Sequence, residues 1–214
     1  MRALRLGTTA LILALVFALV IGVVRGRAVS DEALRTGLLP PSGCPAPCWE
    51  GIRPQETSAD DAFALLSAHP WVGDLNRTPT HISWHWSGAQ PAYIDGTSQG
   101  LIYLNGQRVA TVRIAMTVRF GDVWALFHAP QTALLVRPVS RSTAYQIAGF
   151  DSIGVQVVSS LSCPARPASY WHGSVTLHVG APLFTEMMNG APYPVFAAPG
   201  WWRWLYRCRR VTGV

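Results

Sequence analysis

The stretch Thr8 to Val24, TTALILALVFALVIGVV, constrains this chain more than any other. It is seventeen residues without a charge, set between Arg2 and Arg5 on one side and Arg25 and Arg27 on the other. As a helix rising ~1.5 Å per residue it covers roughly 25 Å, close to the hydrocarbon core of a bilayer. It shows no polar face at helical spacing, which disfavours a helix buried in a soluble core. A secretory signal usually has a shorter apolar region, about 7–15 residues, and a small-residue cleavage site. Ala28-Val29-Ser30 places small residues where cleavage before Asp31 would need them, but Arg25 and Arg27 stand where such signals are normally neutral. Cys44, the first cysteine, is too distant for acylation at the end of the span. The expectation is an uncleaved signal anchor over residues 1–27, a single transmembrane helix, with a cleaved signal as the alternative.

Charge alone does not orient the span. Arg2, Arg5 and the amino terminus on one side nearly balance Arg25, Arg27 and Arg35 on the other. Cysteine breaks the tie. Cys44, Cys48, Cys163 and Cys208 form an even set in a chain with an export signal, a pattern that favours disulfides in an oxidising compartment. Four cysteines allow three pairings; Cys44 and Cys48 either reach elsewhere or close a tight local ring across Pro45-Ala46-Pro47. A zinc half-site at Cys-x-x-x-Cys lacks a matching second half, because Cys163 and Cys208 are isolated. The domain is therefore expected outside the cytoplasm, at the cell membrane.

About 185 residues follow the span, enough for one domain with a real core or two small halves. The chain is 50% hydrophobic and 13% charged, which argues against disorder. Its net charge of +6 suggests nucleic acid until it is located. Four arginines flank the span, and Arg203, Arg207, Arg209 and Arg210 lie near the end. Ala28 to Gly200 carries nine Arg against eleven acids, a net of −2. The body has no basic face, so nucleic acid is not an expected partner. All seventeen basic residues are Arg, which reads as a GC-rich genome before it reads as chemistry.

Residues 28–50 read as a linker, since LLPPSGCPAPC holds four prolines. Thr57-Ser58-Ala59-Asp60-Asp61 then offers a hydroxyl cap with carboxylates in the first helical turn. Ala62, Phe63, Leu65 and Leu66 continue on a helical face, and His69-Pro70 ends it. His81 to Ser87 alternates polar and apolar as a half-buried strand does. On a strand His81 and His85 share a face but lie roughly 13 Å apart, too far to share an ion. Leu101–Leu104 and Val109–Ile114 flank Asn105-Gly106, a hairpin signal.

Phe120 to Pro130 echoes the first helix. Asp61-Ala-Phe-Ala-Leu-Leu becomes Asp122-Val-Trp-Ala-Leu-Phe, 61 residues on, each closing at His and Pro. Strand-like segments follow both: Ala133–Arg137, Thr143–Ala148 and Ile153–Ser159 after the second, with Ser174–Val179 beyond. A helix followed by an antiparallel meander, twice, is an α+β plan in which each helix covers one sheet face. The repeats are drawn at 51–117 and 118–214, the second with a C-terminal extension.

Trp201, Trp202, Arg203, Arg207, Arg209 and Arg210 make the most unusual local composition. They suit contact with a membrane surface, aromatic rings at the headgroups and Arg against anionic lipid. The structural reading, a last strand pinned by Cys208, is the favoured one, and the two are compatible if only Arg209 and Arg210 are exposed. No Gly-x-Ser-x-Gly, phosphate loop or His-Glu-x-x-His occurs. Ser83 and Ser87-Gly88 lie near His81 and His85 without making a triad. Asp60 and Asp61 are explained by capping. No catalytic residue, metal or cofactor is expected. Trp84, Trp86, Trp124 and Trp171 could form a sugar-stacking surface, but aromatics at alternating positions in a small α+β domain more often belong to the core.

At its two helix motifs the chain resembles exported bacterial proteins built of short helices followed by antiparallel strands. These are the small lipoprotein subunit of the outer-membrane β-barrel assembly machinery and, in tandem, β-lactamase inhibitor protein. Their helices end in a Val/Ala-x-x-Leu-Leu-Gly-x-Pro-like run. Val123, Leu126 and Pro130 fit it, as do Ala62, Leu65 and Pro70 less fully; Ser67 or His128 replaces the Gly, and no lipid-attachment Cys exists. Pro47-Cys48-Trp49-Glu50-Gly51-Ile52, Trp84–Pro91 and Phe120–Leu126 are similar to uncharacterised, membrane-tethered proteins of GC-rich bacteria such as Chloroflexota. The latter resemblance implies no activity. The expected role is protein interaction or envelope structure, with a cell-wall glycan-binding module using exposed Trp as the alternative.

Overall fold

The computed structural model describes residues 14–19, 34–35, 38–127, 130–136, 143–162 and 167–180. Helix α1 (Ala59–Ala68) starts where its cap dictates: the Ser58 hydroxyl oxygen accepts from Asp61 N–H at 3.1 Å and donates to Asp61 Oδ2 at 2.7 Å. The pairing satisfies an otherwise orphaned first-turn donor and places negative charge at the positive end of the helix dipole. Asp60 makes an ion pair with Arg77. Ala59, Ala62 and Leu66 are buried, while Leu65 is turned outward.

Strands β1 (Val72–Arg77), β2 (His81–Trp86), β3 (Gly100–Asn105) and β4 (Arg108–Arg119) follow as a meander. Helix α2 (Phe120–Phe127) then leads to β5 (Thr132–Val136), β6 (Thr143–Phe150) and β7 (Val155–Ser162). A short helix, α3 (Pro167–His172), precedes β8 (Ser174–Gly180). All eight strands join one sheet in the order β1-β2-β3-β4-β8-β7-β6-β5, every neighbour antiparallel. The two meanders thus meet through their last strands, and their first strands form the two edges. The α+β class and the antiparallel sheet agree with the sequence reading.

One face of the sheet is the core. Ile82, Trp84, Ile102, Val112, Ile114, Met116, Val175, Leu177, Val179, Val155 and Val157 are all buried on it. Helix α1 contributes Ala62 and Leu66, α2 contributes Phe120 and Val123, and α3 contributes Tyr170. Phe120 and Tyr170 meet edge to face at 5.4 Å, and Trp124 meets Trp171 the same way at 5.7 Å. Trp84 lies across Gly100, its partner on β3, and a Cβ at that glycine would fall inside the indole ring. An aromatic ring covering a strand glycine supplies the packing that the glycine lacks.

The Pro-rich segment is tied to this core. Leu34, Leu38, Cys48 and Trp49 are buried, and Gln55 N–H donates to Val109 C=O at 2.7 Å. Cys44 and Cys48 are disulfide-bonded to each other, with Cα atoms 6.0 Å apart, so the tight local ring is the form adopted. Cys163 and Cys208 lie outside the described residues.

Two elements escape the sequence reading. Strand β1 carries Gly73, Asp74 and Asn76 and alternates poorly because it is an exposed edge. Helix α3 is too short to show a period. The strand expected from Ile153 begins at Val155, because Asp151–Ile153 forms a 3-10 turn. Of the apolar stretch, residues 14–19 are described and are helical, with Leu15, Val16, Phe17 and Leu19 exposed. Among the described residues, no helix is long and apolar enough to cross a membrane.

Candidate functional site

The sheet has a second face, and pleating dictates what it bears. Following the strand register from β2 to β5, one row runs Ser83, Leu101, Arg113, His178, Gln156, Gly149, Thr132. Beside it run His81, Tyr103 and Thr111. The row changes character along its length. On β2 to β4, Ser83, Leu101 and Tyr103 are half-buried and Arg113 is exposed. On β8 and β7, His178 and Gln156 are buried. Burial first, and the neighbouring Arg113 charge second, push the His178 imidazole down to about 4, so it is neutral near pH 7. Gln156 Oε1 has no hydrogen-bond partner among the described residues.

A second cluster gathers at the end of α1. Trp49 and Ile52 exchange backbone hydrogen bonds of 3.0 and 2.8 Å around Glu50-Gly51. Both central residues have positive φ, 47° and 81°, as a type I′ turn requires. Gly51 adopts this freely, but Glu50 carries a side chain into the left-handed region at some cost. Glu50 Oε2 sits 3.5 Å from His69 Nε2, while His69 Nδ1 accepts from Trp71 N–H at 3.3 Å. The Tyr93 hydroxyl is pushed up by burial and then by the Glu50 charge. Trp49 stacks on Trp84 at 5.7 Å, and His69 meets Trp71 edge-on at 4.8 Å. The imidazole is held at both nitrogens, which suits a pin between the hairpin and α1 better than a general base in want of a nucleophile.

The other residues singled out in sequence fall in separate places. His81 Nδ1 lies 2.9 Å from Thr78 Oγ1, and Gln99 Nε2 lies 2.8 Å from His85 Nε2. The Ser87 hydroxyl donates to Pro70 C=O at 2.7 Å. No group of three His, Cys, Asp or Glu side chains able to hold a metal occurs among the described residues. Asp95 closes its own loop: hydroxyl and amide donors of Ser98 and Thr97 hold its carboxyl below the usual range. Trp84 is core, Trp86 donates from Nε1 to Ser98 C=O at 2.8 Å, and Trp124 is half-buried. Trp171 is 39% exposed. Trp201, Trp202, Arg203, Arg207, Arg209 and Arg210 lie outside the described residues.

Sequence reasoning missed the Glu50–His69 contact and the Arg113–His178 pairing. The Glu-Gly dipeptide between Trp49 and Ile52 is a local turn signal that could have located the hairpin. Nothing local could have set His178 beside Arg113. No protein-family model matches this chain, and neither a curated protein nor a solved structure matches it.

Proposed function

We propose that the chain is a single-pass, membrane-anchored protein whose domain lies outside the cytoplasm and works by contact with another protein in the envelope. The Thr8–Val24 stretch is the anchor in this reading, and the Cys44–Cys48 disulfide supports an oxidising compartment. The 61-residue echo and the helix-then-strands order found twice support a tandem repeat of one supersecondary unit. One observation carries the functional part. With helices on the core face, the opposite face of β2 to β4 presents Leu101, Tyr103 and Arg113 side by side, with solvent access. Tyrosine and arginine are among the types that anchor protein interfaces, and the leucine adds apolar surface beside them. No catalytic step, cofactor or nucleic acid enters this reading.

Two experiments test it. The mass of the mature protein from its native membrane fraction, alkylated after denaturation without reductant, should be full length with no labelled cysteine. A mass starting near Asp31 would make the protein secreted, and four labelled cysteines would place the domain in the cytoplasm. Crosslinking at the sheet face, through a photoreactive group at Tyr103, should trap an envelope protein. Trapping none would remove the interaction role. The second reading, glycan binding, rests on the exposed Trp171 beside Trp124, and retention of the purified protein on insoluble cell-wall glycan, lost in Trp171→Ala, would favour it.

A further inference from the structure

Asn76-Arg77-Thr78, where β1 runs into its turn, is an acceptor motif for N-linked sugar, an Asn-x-Thr run whose middle residue is not proline. The chain's other asparagines, Asn105 and Asn189, precede Gly-Gln and Gly-Ala and do not form it. So short a pattern is decided by its surroundings. Leu75 pairs with the buried Trp84 and packs on the core, so pleating turns Asn76, the partner of Ser83, to the opposite face. Asn76 is exposed there, and among the described residues nothing hydrogen-bonds its carboxamide. Arg77 turns the other way, to Asp60 of α1, and leaves the asparagine uncovered. Asp74, two residues ahead of it, is exposed as well.

Resting on the extracytoplasmic reading above, we propose that Asn76 is a glycosylation site, its side-chain nitrogen taking an oligosaccharide from a lipid-linked diphosphate donor through a membrane-bound transferase. In the step, Asn76 Nδ2 bonds to the anomeric carbon of the sugar as that carbon's bond to the diphosphate oxygen breaks. The lipid diphosphate leaves with the electron pair, and Nδ2 gives up one proton to a base of the transferase. An amide nitrogen is a weak nucleophile, because its lone pair is delocalised into the carbonyl. The transferase therefore needs the threonine hydroxyl of the motif free to hold the acceptor. In the folded domain that hydroxyl is occupied. Thr78 Oγ1 donates to His81 C=O at 3.0 Å, accepts from His81 N–H at 3.1 Å and lies 2.9 Å from His81 Nδ1. Transfer thus precedes closure of the β1–β2 turn, while Pro79 still biases Thr78 towards an extended backbone. Once attached, the sugar stands on the first strand of the sheet, where a bulky hydrated group hinders pairing with a foreign strand.

The test uses the full chain purified from its native membrane fraction, alkylated after denaturation without reductant. Its intact mass should exceed that of the polypeptide by whole saccharide units, and fragmentation that keeps sugars attached should place them on Asn76. Asn76→Gln should remove the excess while the circular dichroism spectrum is kept, since the carboxamide holds nothing in the fold. Thr78→Ser should keep the sugar. Because transfer comes before folding, Thr78→Ala should lose it even where that variant folds poorly. A sugar-free mass with Cys44 and Cys48 unlabelled overturns the glycan and leaves the location of the domain standing. A sugar-free mass with both cysteines labelled overturns the glycan and the extracytoplasmic reading together. Excess mass that persists in Asn76→Gln assigns the sugar to another residue and equally overturns the proposal.

Discussion

Arg113 and His178 are direct partners across β4 and β8, the two strands where the meanders join, and they stand in opposite environments. The arginine is exposed and the histidine is 4% exposed. Gln156, the next residue in the row on β7, is buried as well. The junction therefore holds an imidazole that folding keeps neutral, first by removing water from it and second by the guanidinium alongside.

This makes stability depend on pH in a stated direction. The folded group titrates at about 4 against about 6.5 in the unfolded chain. Between those values the unfolded chain takes up a proton that the native state refuses. Stability is thus complete above about pH 6.5 and falls as pH drops towards about 4, by an amount on the order of 3 kcal/mol. Urea midpoints at a series of pH values should show the slope, and His178→Gln should flatten it whatever its effect at pH 7. An equal slope in the variant would show that other groups drive the acid loss.

The contact between Trp84 and Gly100 forbids a side chain on β3. Gly100→Ala places a methyl group inside the indole of Trp84, the residue that also stacks on Trp49. The cost should be about 1–3 kcal/mol, as for other overpacked cores. Guanidinium unfolding followed by tryptophan fluorescence measures it. A neutral result would mean that Trp84 can swing away.

The α1 cap makes a smaller prediction. Ser58→Ala removes the hydroxyl that Asp61 N–H needs and should cost about 1 kcal/mol, with Ser58→Thr restoring most of it. Chemical denaturation of the three proteins side by side decides. Equal stability of all three would show that solvent satisfies the first turn as well as the hydroxyl does.

The Cys44–Cys48 ring is short, so its entropic contribution is bounded. Replacing both cysteines with serine should cost at most about 2 kcal/mol, and less if Pro45 and Pro47 already stiffen the unfolded loop. Denaturation of the variant against the oxidised parent provides the number. A loss well above that bound would mean that the ring also holds Trp49 in place, since Cys48 and Trp49 are buried together.

The local decisions were legible in the chain by itself. The Ser58 cap, the His69 stop, the alternation of His81–Trp86, the Asn105-Gly106 hairpin and the apolar runs after Phe120 each depend on residues within a few positions of one another. Dihedral preference and side-chain period act at that range. What lies beyond it, only the tertiary structure decided. That the last strand of each meander meets the other, leaving β1 and β5 as edges, is a choice among pairings of similar local merit, settled by burying one continuous face. Strand β1 and helix α3 exist because the sheet and α2 give them something to pack on, and their own sequences are too polar or too short to declare them. That Cys48 and Trp49 are buried together, with Trp49 stacked on Trp84, was likewise decided by the tertiary structure. His178 is neutral because the fold takes it away from water first and sets it beside Arg113 second, and nothing within ten residues of either could have said so.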